Sequence, residues 1–256
     1  MPDPQPALSL RGLTRYFDAT VAVDQLDLEV PRGSFYGLVG PNGAGKTTTL
    51  SMATGLLRPD AGSAHVLGID VWADPVAAKA RIGVLPDGLR VFDRLTGRQL
   101  VTYAGLLRGM DRAMVHERVE ELLAALGLVE AGDKLVIDYS AGMTKKVTLA
   151  CALVHAPRLL VLDEPFEAVD PVSARTIRGI LEDFAGSGGT VVLSSHVMDL
   201  VERICTDVAI IVQGRVRVAG PVELVRAGGS LEDRFLDLVG GRTDVEGLAW
   251  LRTSSD

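Results

Sequence analysis

The chain has 256 residues, 47% of them hydrophobic and only 5% aromatic, so a sizeable core can be built from Val, Leu, Ile and Ala, as parallel strands covered on both faces require. A net charge of −7 without a basic block argues against a nucleic-acid surface. Apolar runs such as Val208 to Val212 fall far short of the ~18 residues of a spanning helix, Met1 to Pro6 has no signal pattern, and Cys151 and Cys205 have no metal-ligand spacing, which together predict a cytoplasmic protein in a reducing compartment that reaches a membrane only through a partner.

Two candidate strands open the chain, Leu8 to Leu13 and Val21 to Val30. Between them Thr14-Arg15-Tyr16-Phe17-Asp18 reads as a polar turn with two adjacent aromatics, which suit ordinary packing and a platform for a stacked base equally well. The apolar run Phe35-Tyr36-Gly37-Leu38-Val39 leads into Gly40-Pro41-Asn42-Gly43-Ala44-Gly45-Lys46-Thr47-Thr48 and a helical stretch from Thr49. Strand, glycine loop and helix with the spacing G-x-x-x-x-G-K-[ST] make a P-loop. The glycines let several N–H groups converge on anionic oxygens, and the helix adds its positive end. Lys46 supplies a point charge for the β- and γ-phosphates, and the Thr47 hydroxyl is placed for Mg²⁺. The loop therefore binds a nucleoside triphosphate.

Past a turn at Arg58-Pro59-Asp60-Ala61-Gly62, the pattern gives a strand over Ser63 to Gly68 and a short helix over Ala73 to Arg81. The apolar strand Ile82 to Pro86 ends at Asp87-Gly88. From Thr96 to Ala156 the chain is mostly helical. Thr96 and Gln99 form a capping box for a helix to about Gly109. Val115, Val119, Leu122, Leu123 and Leu126 share one face of a second helix, and Ser140 caps a third that runs to about His155. This stretch reads as a helical subdomain inserted into an α/β core. The core resumes with a strand from Arg158 to Leu162 ending in Asp163-Glu164, and a helix opened by Asp170-Pro171. The strand Thr190 to Ser195 ends at His196, a helix covers Val197 to Ile204, and strands follow between Asp207 and Val218. Ser230 caps a last helix over Leu231 to Val239, and the tail from Arg242 is polar apart from Leu248, Trp250 and Leu251. Strands alternating with helices predict a mostly parallel sheet.

Ligands of such sheets bind beyond the carboxyl ends of the strands, and four apolar strands end at Gly40, Asp87, Asp163-Glu164 and His196. Asp163 follows four apolar residues, as a carboxylate that holds Mg²⁺ directly or through water should. Glu164 beside it points the other way, toward an attacking water, as general base. Among the four histidines only His196 ends an apolar strand, where it would hydrogen-bond the γ-phosphate or the water; His65, His116 and His155 read as surface or structural residues.

The segment Tyr139-Ser140-Ala141-Gly142-Met143, starting a helix shortly before Asp163-Glu164, resembles the LSGGQ signature of the ATP-binding cassette (ABC) ATPases. The order of aromatic loop, P-loop, Q-loop, signature, Walker B, D-loop and switch histidine is similar to that family's over residues 8 to about 225. The resemblance implies a P-loop NTPase core over 1–86 and 157–228, with an N-terminal antiparallel β-subdomain, a helical subdomain over 87–156, and a C-terminal helix and polar tail over 229–256. It implies that Phe17, or else Tyr16, stacks on adenine. It implies that Asn42, Gly43, Ala44, Gly45, Lys46, Thr47 and Thr48 bind ATP, with Thr47 and Asp163 on Mg²⁺. Glu164 becomes the catalytic base, His196 the switch histidine and Asp170 the D-loop acid. Ser140, Gly142 and Met143 would contact ATP bound to a second subunit, in a head-to-tail homodimer or heterodimer that ATP closes.

The sequence departs from the family at Asp87, where Gln is usual; a carboxylate there is a candidate Mg²⁺ ligand with a shorter arm. It departs again at Tyr139, Ala141 and Met143, with Ser140 and Gly142 retained. Lys145-Lys146 follow where the family often has polar or basic residues, and read as solvated charges. The chain looks like the separate ATPase subunit of a transporter, held on the cytoplasmic face of the cell membrane by an integral-membrane permease. In the family, the surface around Leu89-Arg90-Val91-Phe92-Asp93-Arg94-Leu95 receives that permease. The end, Ser230 to Leu238, is similar to the tail helix of ATPases serving ABC-2 type exporters. Two further classes stay open. A non-transport ABC ATPase of translation or DNA maintenance usually carries tandem cassettes, a coiled-coil insertion or basic arms. A non-hydrolysing regulatory cassette would not need Glu164 and His196.

Overall fold

The computed structural model describes residues 5–88 and 92–239. The described residues form two sheets. One is antiparallel, of strands β1 (Leu8–Phe17), β2 (Thr20–Val30), β4 (Ala61–Val66) and β5 (Ile69–Asp70), in the order β2-β1-β4-β5. The other contains β3 (Phe35–Val39), β6 (Ile82–Leu85), β7 (Leu159–Leu162), β8 (Thr190–Ser195), β9 (Asp207–Val212) and β10 (Arg215–Pro221), in the order β10-β9-β3-β8-β7-β6. It is parallel throughout except at its edge, where β10 returns antiparallel to β9.

The second sheet is the middle layer. Leu160 and Leu162 of β7, with Phe35, Val191 and Leu193, belong to one core; Leu159 and Val161, with Tyr36, Leu38 and Val192, belong to the other. Alternate residues of each strand thus serve opposite layers, which is why β3 and β7 read as unbroken apolar runs. The antiparallel sheet and α1 (Lys46–Ala53) cover one face. Short α2 (Pro75–Lys79) precedes β6. Between β6 and β7 come α3 (Gly97–Leu107), α4 (Arg112–Ala125) and α5 (Ala141–Leu153), which pack on one another and contribute to the opposite core. The remaining helices of the described residues are α6 (Pro171–Gly186), α7 (Met198–Ile204), α8 (Val222–Val225) and α9 (Leu231–Val239).

The helix starts follow local chemistry. Thr96 and Gln99 make the reciprocal capping box at α3. The Ser140 hydroxyl accepts from the Met143 N–H at α5, and Asp170 accepts from Val172 and Ser173 at α6, where Pro171 fills the first position. One expectation is corrected. Thr14 to Phe17 is strand, not turn: Tyr16 pairs with Val21 and Phe17 with Thr20, and Asp18, with φ of 50°, and Ala19 make the reversal. Thr14 is polar inside that strand because its buried hydroxyl accepts from the Gln25 N–H at 3.1 Å. Helix α8 had no sequence signal, since one turn is too short to show a period.

Among the described residues no helix is long and apolar enough to cross a membrane. Cys151 and Cys205 are free thiols, and burial pushes both upward, Cys151 to about 12. The polar tail from Arg242, with Leu248, Trp250 and Leu251, and the segment Leu89 to Val91 lie outside the described residues.

His155 closes the end of α5 onto β6, its Nε2–H donating to the Ile82 carbonyl at 3.0 Å. Burial, with the charges of Arg108 and Arg118, lowers its pKa to about 4. An unfolded histidine titrates near ~6.5, so below that pH the unfolded chain takes the proton first. The stability contributed by the neutral ring is complete above about pH 6.5 and is lost as pH falls toward 4. In thermal melts, the wild type should lose more of its midpoint on acidification than His155→Gln, which keeps a donor and does not titrate. Equal losses would contradict this reading.

Candidate active site

The loop after β3 is held in its curve from below. Gly45 has φ of 99°, and a Cβ there would strike the Ala22 carbonyl of β2, so no other residue fits. The Ala44 N–H closes onto Pro41 at 3.1 Å. The turn between β9 and β10 pins the loop from outside: the Gly214 N–H donates to Ala44 at 2.9 Å, and Asp24 of β2 donates to Gly214 at 3.0 Å. Helix α1 starts at Lys46 with no capping side chain, so its first turn keeps N–H groups for an anion. Lys46 curls back over the loop, its Nζ donating to the Gly40 carbonyl at 2.8 Å. Burial lowers its pKa, and the nearby Glu164 and Asp163 carboxylates work in the opposite direction.

Asp163 and Glu164 follow β7. Asp163 is buried, and its Oδ1 accepts from the Ser194 hydroxyl of β8. The same Ser194 oxygen accepts from the Glu164 N–H at 2.9 Å. Glu164 then turns into the left-handed region, φ 46°, a conformation that costs about 1–2 kcal/mol for a side-chain-bearing residue. The turn sends its carboxylate back over the loop. Oε1 lies 3.9 Å from Lys46 Nζ, and Oε2 lies 3.1 Å from His196 Nδ1. Its carbonyl accepts from Lys145 Nζ of α5 at 2.9 Å, and that ammonium lies 3.7 Å from Asp87.

These groups surround one cavity of about 440 Å³ beyond the carboxyl ends of the parallel strands. Its walls carry Phe17, Asn42, Gly43, Ala44, Gly45, Lys46, Thr47, Thr48, Asp87, Glu164 and His196, joined by Ala22 and Glu167. Of the two aromatics, Phe17 is on the wall and Tyr16 is not; the Arg15 guanidinium sits 5.0 Å from the Phe17 ring centre. Asp163 lies behind the wall, and Ser140, Gly142, Met143 and Asp170 lie outside it. Ala141 is exposed, so its methyl has room, whereas a Cβ on Gly142 would come within 2.7 Å of Asp170 and 2.8 Å of Ser173. The Tyr139 hydroxyl donates to the Ala131 carbonyl at 2.7 Å.

Residues 23–167 match the ABC transporter family. The chain belongs to the ABC transporter family. It is 40% identical over 217 residues to the daunorubicin/doxorubicin resistance ATP-binding protein DrrA of Streptomyces peucetius, covering 85% of this chain and 66% of that protein. It is 36% identical over 219 residues to the Nod factor export ATP-binding protein I of Cupriavidus metallidurans, covering 85% and 72%. A solved structure of the ATP binding subunit of an ABC transporter superposes with a TM-score of 0.84 at 26% identity, covering 91% of this chain and 99% of that one. The protein is thus an ATP-binding cassette of the ABC ATPase family, with the P-loop NTPase fold.

Sequence reasoning missed Ser194 and gave Lys145 no partner. The signal for Ser194 was present: two serines end a strand whose other members are apolar or buried, and a buried hydroxyl needs a partner. In this cassette Ser194→Ala removes the hydroxyl that joins Asp163 to the Glu164 N–H. Steady-state ATP turnover should fall about 10–100-fold, the usual cost of losing an outer partner of a reacting group. Turnover at the wild-type level would contradict the role.

Proposed function

We propose that this cassette hydrolyses ATP and powers a separate integral-membrane permease, as an export subunit on the cytoplasmic face of the membrane. The observation that carries the hydrolytic part is the convergence of Lys46, Glu164 and His196 on a single cavity rimmed by the P-loop. ATP enters with adenine on Phe17 and its phosphates on the N–H groups of Asn42 to Thr48. Lys46 exchanges its loop carbonyl for the β- and γ-phosphates. Glu164 orients the attacking water and takes its proton, and His196 moves its hydrogen bond from Glu164 to the γ-phosphate side.

Mg²⁺ binds through few protein oxygens plus substrate phosphates. The Thr47 hydroxyl and the buried Asp163 carboxylate, whose Oδ1 accepts from Ser194, are the groups that would hold it. Bound there, Mg²⁺ would neutralise charge developing on the transferred phosphoryl group.

The signature residues Ser140, Gly142 and Met143 cap a helix N-terminus outside the chain's own cavity. A serine hydroxyl with exposed first-turn N–H groups is an anion site. We assign it to ATP held by a second subunit, with Asp170 at the same interface. The dimer is a homodimer or a heterodimer with another such cassette.

Support for a membrane partner comes from an exposed apolar surface on the helical stretch. Phe92 and Tyr103 meet edge to face at 5.6 Å, both open to solvent, and exposed Ile137 is tied to Asp93 by its backbone. Support for export comes from the drug-resistance and export roles in the names of the two relatives.

Two outcomes are expected. Glu164→Gln should lower ATP turnover about 10²–10⁴-fold, the range for a lost general base, without weakening ATP binding; a variant as fast as wild type would exclude the hydrolytic role. Phe92→Asp should leave ATP turnover of the free subunit intact but abolish its co-purification with a membrane protein, and undiminished co-purification would remove the docking assignment.

A further inference from the structure

Asp87 and Lys145 form a junction that the reading above leaves without a role. Asp87 follows β6 and lies on the wall of the ATP cavity. It also lies on the wall of a neighbouring cleft of about 390 Å³, between the strand ends and the start of α5, where Lys145 emerges. A lone carboxylate beside a triphosphate repels it. Here the Lys145 ammonium, largely shielded from solvent, stands 3.7 Å from Asp87 and offsets that charge.

The same ammonium donates to the Glu164 carbonyl at 2.9 Å. Lys145 therefore bridges three elements: its own helix α5, which begins at Ser140, the end of β6, and the end of β7. Its grip on Glu164 falls on the peptide whose left-handed turn aims the carboxylate at Lys46 and His196. A left-handed conformation in a non-glycine residue persists only where neighbours hold it. Three contacts do so at this residue: Ser194 on the N–H side, and Lys145 and the Glu167 N–H, at 3.2 Å, on the carbonyl side.

We infer that Lys145 is a positioning residue for Glu164, and that Asp87 is its counter-ion instead of a ligand of Mg²⁺. The inference rests on the proposed role of Glu164 as general base. Because Lys145 rides on the helix that carries Ser140, a shift of α5 toward a second subunit's nucleotide is delivered directly to the backbone of Glu164. The carboxylate at position 87 is then a partner matched to a lysine at position 145, and neither side chain touches the reacting atoms.

The test is a double-mutant cycle read in kcat and KM, with Lys145→Met, Lys145→Arg, Asp87→Asn and the Lys145→Met/Asp87→Asn pair. Lys145→Met should lower kcat about 10–100-fold and change the KM for ATP by less than about threefold, the pattern of a lost transition-state arrangement. Lys145→Arg keeps the charge and should restore most of the rate. The double variant should be no slower than Lys145→Met alone, since both remove one interaction. Binding of a fluorescent ATP analogue is titrated with Mg²⁺ in the Glu164→Gln background. The Mg²⁺ midpoint should be the same whether Asp87 is intact or replaced by Asp87→Asn.

Fully additive losses, wild-type kcat in Lys145→Met, or a rise of about tenfold or more in the Mg²⁺ midpoint of Asp87→Asn (even a lost outer partner of a metal ligand costs about 10–100-fold) would overturn the inference. If Lys145→Met fails to fold, Lys145→Arg decides, because a folded arginine variant that stays slow also overturns it. Glu164→Gln is assayed alongside. Wild-type turnover in that variant defeats the general-base reading itself, whereas a slow Glu164→Gln beside a fast Lys145→Met defeats only the positioning role.

Discussion

Two carboxylates in succession at the buried end of β7 are the constraint around which this site is built. Neither can stand there without compensation, since charge removed from water must be paired or hydrogen-bonded. The fold supplies a different solution to each. Asp163 stays in line with the strand and is met by the Ser194 hydroxyl from the adjacent parallel strand. Glu164 leaves the strand through a left-handed turn and is met by Lys46 and His196. The parallel sheet makes both solutions possible, because β3, β7 and β8 all end on the same edge. The lysine that begins α1, the carboxylates after β7 and the histidine after β8 are thus neighbours, though they are far apart along the chain.

The fold was legible wherever the deciding interaction is local. The capping box at Thr96 and Gln99, the Ser140 and Asp170 caps and the apolar runs of β3 and β7 all depend on residues within a few positions of one another. So was the P-loop, whose glycine at position 45 is required by a carbonyl of β2 but announced by its spacing. What the chain concealed depends on register. Ser194 matters because β8 pairs with β7 so that its hydroxyl reaches both Asp163 and the Glu164 N–H. Lys145 matters because α5 folds back beside the strand ends. Thr14 to Phe17 looked like a turn because a polar residue and two exposed aromatics interrupt the alternation, and only the pairing with Thr20 and Val21 makes them strand.

The departures from the family pattern acquire physical reasons. Tyr139 replaces an aliphatic residue at no polar cost, since its hydroxyl finds the Ala131 carbonyl. The additional methyl at Ala141 faces solvent, while Gly142 is closed in by Asp170 and Ser173. Asp87 brings a charge where an amide is usual, and a lysine faces it. The changes at Tyr139 and Asp87 are thus each accompanied by a neighbour that accommodates them, and the P-loop, Walker B and switch-histidine positions proposed to touch nucleotide are unaltered.

The proposed mechanism needs two chains, because Ser140 lies outside the cavity that holds Lys46, Glu164 and His196. The most direct test is a structure of the Glu164→Gln protein with ATP and Mg²⁺. A head-to-tail dimer is expected, in which the Ser140 hydroxyl contributed across the interface contacts the γ-phosphate held by the P-loop. ATP and Mg²⁺ enclosed by a single chain, with every Ser140 remote from any triphosphate, would contradict it.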